Sequence, residues 1–221
     1  MAPVDRALFE GPEGEKRLAD LAWLAPRALH HQDVLAACQE RGAVLPARFG
    51  TLFSTEESLC AFLGRHAPSI SAFLRESRDH EEWGLKGILD RPRALEACIA
   101  AARSERTDLA AMGPGRLYLE ERRLAADAER ELSAWAARAG EEVTSLLAPL
   151  AARSVERRPV PAADPQEGEA VFSRAFLVCR GSRDAFLSAV REAGSAWEGE
   201  GLRLEASGPW PPYSFAPPLQ D

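Results

Sequence analysis

The chain has 221 residues, 46% hydrophobic and 28% charged, which is enough apolar side chain to build a core and argues against disorder. Its formal charge of −7 argues against wrapping nucleic acid, since the Arg157-Arg158 pair is two charges rather than a patch. No apolar run reaches the roughly 18 residues of a membrane span, and the opening stretch MAPVDRALFEGPEGEK, broken by Pro and Gly, lacks the apolar centre of a secretory signal.

Residues 16–41 read as helix in two pieces, the second opened by Pro26 and stopped by Arg41 and Gly42. The stretch AVLPARFGTLF, residues 43–53, is apolar but holds Pro46 and Gly50. Pro46 removes a ladder donor, which leaves an edge strand or an extended loop with a bulge at Gly50. Ser54 and Glu57 form a capping-box pattern before Leu59, Phe62 and Leu63, with Pro68 expected to break that helix. EEWGLKGILD, residues 81–90, alternates and predicts a strand with one buried face. Residues 92–111 read as an Ala-rich helix closed by Gly113-Pro114-Gly115.

The clearest element runs over residues 116–152. Leu124, Ala128, Leu132, Trp135, Ala139, Val143, Leu146 and Leu150 recur at spacings of three and four, one stripe along a long helix. Trp135 is expected at its centre and Gly140 at a bend. Such a stripe needs a surface to cover it, either both domains of this chain or another chain. Residues 153–170 read as a linker with a short strand near 155–160. VFSRAFLVCR, residues 171–180, reads as a strand. Ser182 should cap a helix carrying Phe186, Leu187, Val190 and Ala193 and ending at Gly194. GLRLEASGPW then alternates as a second strand. The last three elements make a βαβ-sized unit.

Sites for chemistry are sparse. His30 and His31 are adjacent, so on a helix they point about 100° apart and share no metal. His66 and His80 have no ligand partners nearby in sequence and, like the first two, read as surface or half-buried side chains. Phosphate-loop, dinucleotide and nucleophile-elbow patterns are missing. Glu81-Glu82 and Glu141-Glu142 read as solvated faces. Cys38, Cys60, Cys98 and Cys179 form no CxxC pair and read as reduced thiols in core positions. The residues themselves therefore point to no catalytic group, cofactor or metal. An enzyme whose site is assembled from distant residues, around His30 or His80 with an acidic partner, is the rival reading; a general helical scaffold is a third.

Four segments in order, AVLPARFGTLFSTEESL, EEWGLKGILD, RAFLVCR and GPWPPYSF, resemble the gas vesicle protein F/L family of accessory proteins. The resemblance covers the chain from about residue 25 onward. It implies an α+β protein of two domains, with a ferredoxin-like N-terminal domain (residues 1–112), a long amphipathic helix (113–152) and a smaller C-terminal α/β unit with a Pro/aromatic tail (153–221). Family members open with a further strand, so this chain either lacks the first strand of that N-terminal sheet or carries a divergent segment there. The resemblance also implies a non-enzymatic cytoplasmic role in gas vesicle assembly, with the hydrophobic shell protein and other accessory proteins as partners, and neither nucleic acid nor membrane among them. The motif positions, and so the candidate partner contacts, are Leu45, Pro46, Arg48, Phe49, Gly50, Thr51, Trp83, Lys86, Phe176 and Leu177. Gly208, Pro209, Trp210, Pro211, Pro212, Tyr213 and Phe215 complete the set.

The tail SGPWPPYSFAPP is unusual on physical grounds too. Prolines restrict the backbone before docking, and Trp210, Tyr213 and Phe215 offer large apolar area. It either closes over the chain's own core, with Trp210 largely buried, or docks onto a partner.

Overall fold

The computed structural model describes residues 3–159 and 168–219. The chain divides into two compact units, Met1–His80 with Trp210–Asp221, and Glu81–Pro209.

The first unit is helical. Helices α1 (Gly11–Ala19), α2 (Leu21–Arg41) and α3 (Glu56–Ser77) carry it, and its described residues before His80 hold no strand. The ferredoxin-like sheet expected at the N-terminus is therefore not there. Asp20 separates α1 from α2, its carboxylate accepting from the Ala22 N–H at 2.9 Å. Pro26 lies inside α2 rather than opening it. It removes one ladder bond, the one to the Ala22 carbonyl, and the helix continues past it to Arg41. The cap of α3 is Thr55 with Ser58, one residue beyond the Ser54/Glu57 pair, and the two side chains satisfy each other's backbone N–H groups. Pro68 does not end α3, which continues to Ser77.

The second unit holds a four-stranded antiparallel sheet with strand order β2-β3-β1-β4. Its strands are β1 (His80–Leu89), β2 (Arg153–Arg157), β3 (Glu169–Cys179) and β4 (Leu202–Trp210). Helices α4 (Arg91–Ser104) and α5 (Pro114–Leu147) lie between β1 and β2, and α6 (Arg183–Glu198) between β3 and β4. This connection and strand order are those of a ferredoxin-like unit. The expected C-terminal βαβ piece is thus not a separate sheet; β3 and β4 flank β1. Part of the expected 153–170 linker, residues 160–167, lies outside the described residues.

β1 is central and covered on both faces. From Glu81 to Leu89 every residue is buried except Lys86, so the expected one-sided alternation is overturned. The main core joins Trp83 and Leu85 of β1 to Phe176 and Val178 of β3, Val143 and Leu147 of α5, and Phe186 and Val190 of α6. Leu89, Ala94 and Leu132 form a second cluster, with Cys98 and Trp135 packed on it.

The long helix finds its cover within this unit, against α4, β3 and α6. Ala128, Leu132, Ala139 and Val143 are buried as the stripe requires, and Trp135 is half-buried, edge-to-face with Trp197 at 5.8 Å. Leu146 is 56% exposed and Leu147 is buried in its place. A straight helix turns slowly away from a 3.5-residue stripe, so the buried seam moves on by one position at its end. Gly140 is explained by contact rather than by a bend. The Phe172 ring of β3 lies over Gly87 of β1, and a Cβ built on Gly140 would stand 2.9 Å from Phe172 Cδ1. The cysteines are not core residues: Cys38 and Cys60 are exposed, and Cys98 and Cys179 are half-buried.

The two glycines should therefore resist substitution through one ring. Gly87→Ala should cost about 1–3 kcal/mol, and Gly140→Ala should fail to give the roughly 1 kcal/mol that Ala gains in an open helix. In a Phe172→Ala background both substitutions should become near neutral or stabilising. Urea denaturation of the single and double variants checks this; additive costs would contradict the shared contact.

Candidate functional site

The motif residues fall into two groups. Within the second unit, Trp83 (β1), Phe176 (β3) and Gly208 (β4) come together. Trp83 and Phe176 share the main core, and Leu177 is buried at 1% exposure. Gly208 has φ +141°, and a Cβ on it would lie 2.9 Å from the Glu82 carbonyl oxygen and 3.1 Å from the Trp83 ring. Only glycine fits there, on both counts. Pro209 follows through a cis peptide bond, at Gly208-Pro209.

The same end of β1 holds a charge pair with a buried carboxylate, where the sequence predicts a solvated face. Glu81 and Glu82 are each 2% exposed. The Arg183 guanidinium donates to Glu81 twice, Nε to Oε1 at 2.7 Å and an outer nitrogen to Oε2 at 2.6 Å. The Trp83 indole N–H donates to Oε1 at 2.8 Å. Burial pushes the Glu81 carboxyl up, but the Arg183 and Trp83 hydrogen bonds and the Arg183 charge outweigh it and hold the carboxyl below the usual carboxylate range. The same pair raises the Arg183 guanidinium. Glu82 faces Arg157, at 3.5 Å. Glu141 is exposed and meets Arg174 at 2.6 Å, so that position does lie on a solvated face. Lys86 is the one exposed side chain along β1 after His80.

Within the first unit, the RFGT motif is a turn. The Thr51 N–H donates to the Arg48 carbonyl at 3.1 Å and the Thr51 hydroxyl to the same oxygen at 2.8 Å. Gly50, at the third position, has φ +84°, the positive value that a type II turn demands there. Of the two readings left open for this stretch, the extended loop is the one found. Pro46 and Leu45 turn inward, Pro46 fully, and Phe49 stacks edge-to-face on His31 at 5.7 Å. His31 Nε2 is 3.0 Å from the Ala47 carbonyl oxygen, which ties the loop to α2. Arg48 is exposed and its guanidinium has no ion-pair partner among the described residues.

The tail belongs to this same unit. Pro211, Pro212 and Phe215 are buried and Tyr213 is half-buried, its phenol pushed up by burial. Trp210 is not largely buried as expected but 40% exposed, while its carbonyl accepts from the buried Gln39 side chain of α2 at 3.2 Å. The backbone and prolines are anchored, and the indole is partly exposed.

The rival catalytic reading names His30 and His80. His30 is exposed, and His80 Nδ1 is buried without a hydrogen bond. Among the described residues no group of three or more His, Cys, Asp and Glu side chains is placed to hold a metal ion. Two shallow grooves of about 450 Å³ each line the second unit. One lies between α5 and the β2–β3 pair, where Arg174, Glu142 and Phe172 border it; the other lies between α6 and β4.

Arg183→Met should lower stability by about 3 kcal/mol, because it leaves a buried carboxylate without its cation. In the parent protein the Glu81 contribution is present above the unfolded value near pH 4.3 and is lost as pH falls through the lower folded value. In the variant, burial, the largest single cause, is opposed only by the Trp83 hydrogen bond and the Arg180 charge, so the loss of stability on acidification should shrink or reverse in sign. Melting temperatures of both proteins as pH falls from 7 check this. Arg48→Ala, at an exposed and unpaired position, should leave the melting temperature within a degree or two.

Comparison with known proteins agrees with this arrangement. The family model described as "Gas vesicle synthesis protein GvpL/GvpF" matches residues 3–217. Gas vesicle protein F of Streptomyces sp. (strain CB03234) is 31% identical over 192 residues, covering 84% of this chain and 75% of its own. Gas vesicle protein L of the same strain is 30% identical over 202 residues, covering 90% and 72%. Among solved structures, GvpF from Anabaena sp. PCC7120 superposes with a TM-score of 0.64 at 20% identity, over 86% of this chain and 76% of that one. GvpF from Microcystis aeruginosa gives 0.61 at 18% identity, over 90% and 80%. These two structures show that the fold is shared. With the family match spanning nearly its whole length and two relatives at 30% identity or above, the chain belongs to the GvpL/GvpF family of gas vesicle synthesis proteins.

Proposed function

We propose that the chain is a non-enzymatic accessory protein of gas vesicle assembly that binds the hydrophobic shell protein before it enters the growing wall. Family membership supports the assembly role, the cytoplasmic setting and the company of other gas vesicle proteins. The observation that carries the finer reading is where apolar side chains remain exposed.

Of the eleven large hydrophobic residues exposed among the described ones, eight lie in the first unit. Leu21 is 75% exposed, Leu29 65% and Val34 48%, all three on α2, and Leu52, Leu63 and Trp210 add to them. α2 spans 21 residues yet buries only Leu35 and Gln39. A helix of that length gains most of its stability by burying a face, so one that leaves several apolar residues in water is suited to covering by another protein. A shell protein, very apolar before it is incorporated, offers the matching chemistry. The net charge of −7 would keep the pair dispersed. RFGT, with its exposed Arg48, borders the same helix through the His31 contact.

The experiment is capture of shell protein by the tagged chain. Leu21→Glu with Leu29→Glu should weaken capture about tenfold or more, since each removes an apolar contact and buries a charge. Because both positions are exposed, the melting temperature should stay within a few degrees. Undiminished capture with an unchanged fold would move binding elsewhere on the molecule.

A further inference from the structure

The sheet of the second unit has two edges, β2 and β4. β2 is five residues long; β4 is nine, and every residue from Glu205 to Trp210 is exposed. A long exposed edge leaves a row of backbone donors and acceptors without strand partners, which natural proteins cover, shorten or use.

The sequence along this edge is self-complementary. Take an antiparallel pairing of β4 with a second β4 about a two-fold axis at Leu204. Leu204 then faces Leu204, Arg203 faces Glu205, Leu202 faces Ala206 and Gly201 faces Ser207. Apolar residues oppose apolar ones, small oppose small, and each cation opposes an anion, twice over by symmetry. Arg203 and Glu205 already form an ion pair within one chain, with side chains 51% and 44% exposed, so both heads stand in solvent beside the edge. Past Ser207 the register ends at Gly208-Pro209, where proline has no N–H to give.

The helix above repeats the same symmetry. A two-fold axis normal to the sheet keeps both copies of α6 on one side, antiparallel to each other. A Cβ on Gly194 would lie 3.8 Å from Leu204 Cβ, so the axis at Leu204 passes close to Gly194 and Ser195. Arg191 and Glu198 are exposed and stand three residues either side of that pair, so Arg191 of one copy meets Glu198 of the other. The small residues lie where two helices come nearest. The groove of about 450 Å³ between α6 and β4 is lined by these residues, with Leu187, Val190 and Ala206 as its apolar floor.

We infer that the β4 edge with the outer face of α6 is the interface of a two-fold homodimer, in which two four-stranded sheets join into one of eight strands. The complementarity is between the surface and its own copy, which is the condition an isologous interface must meet.

Sedimentation of the full chain tests this, with charge variants as controls. The parent should associate reversibly to twice the monomer mass at micromolar concentrations, and less so at high salt. Arg203→Glu alone sets Glu opposite Glu at both ends of the register, and Glu205→Arg alone sets Arg opposite Arg. Each should weaken the dimer about tenfold or more. The double variant R203E/E205R restores opposite charges and should recover the parent's association to within a few fold. Both positions of change are exposed, and circular dichroism melts of all three variants should coincide with the parent's. A parent that stays monomeric to the solubility limit would overturn the inference. So would a dimer that neither single variant weakens, or a double variant no better than the singles.

Discussion

The Glu81 carboxylate stands at 2% exposure on the central strand, and it is tolerable there because Arg183 closes on it with two hydrogen bonds and Trp83 with a third. That arrangement fixes much else in the second unit. It anchors the start of α6, from which Arg183 projects, to the start of β1. It ties the Trp83 indole to Glu81, and β4 passes beside that ring with a glycine at position 208. Further along β1 the same crowding recurs, with Gly87 and Gly140 making room for the Phe172 ring. A strand covered on both faces accepts only side chains with a partner or none at all, and β1 uses both solutions.

Much of this was legible in the sequence, and what was not had physical reasons. The 114–147 helix was plain because three- and four-residue spacings persist over nine turns' worth of chain. The strands at 169–179 and 202–210 were marked by β-branched residues and alternation. The sheet differs from the expected one because strand order is a long-range property: nothing local says that residues 80–89 pair with strands about 90 and about 120 residues later. Burial of Glu81 and Glu82 was missed because their partners, Arg183 and Arg157, are distant in sequence, and two adjacent acids look solvated without them. Pro68 and Pro26 lie inside helices because propensity is a weak prior that tertiary context overrides. The RFGT motif was visible as a family signature, but its reason, a turn with a positive-φ glycine at its third position, needed coordinates.

The two units differ in what they leave exposed, and the functional reading rests on that difference. In the second unit the long helix, which from sequence alone could have awaited another chain, is covered by α4, β3 and α6. The first unit keeps α2 largely in water, with the RFGT turn and the tail attached to it through His31 and Gln39. The tail is itself divided: Pro211, Pro212 and Phe215 are buried while the Trp210 indole stays partly open.

The central functional claim is that α2 carries the shell-protein contact. Hydrogen–deuterium exchange of the full chain, with and without shell protein, tests it without altering a residue. Slower exchange across residues 21–41, extending to the 43–53 loop, is the predicted result. Unchanged exchange there, with protection confined to residues 81–209, would contradict it.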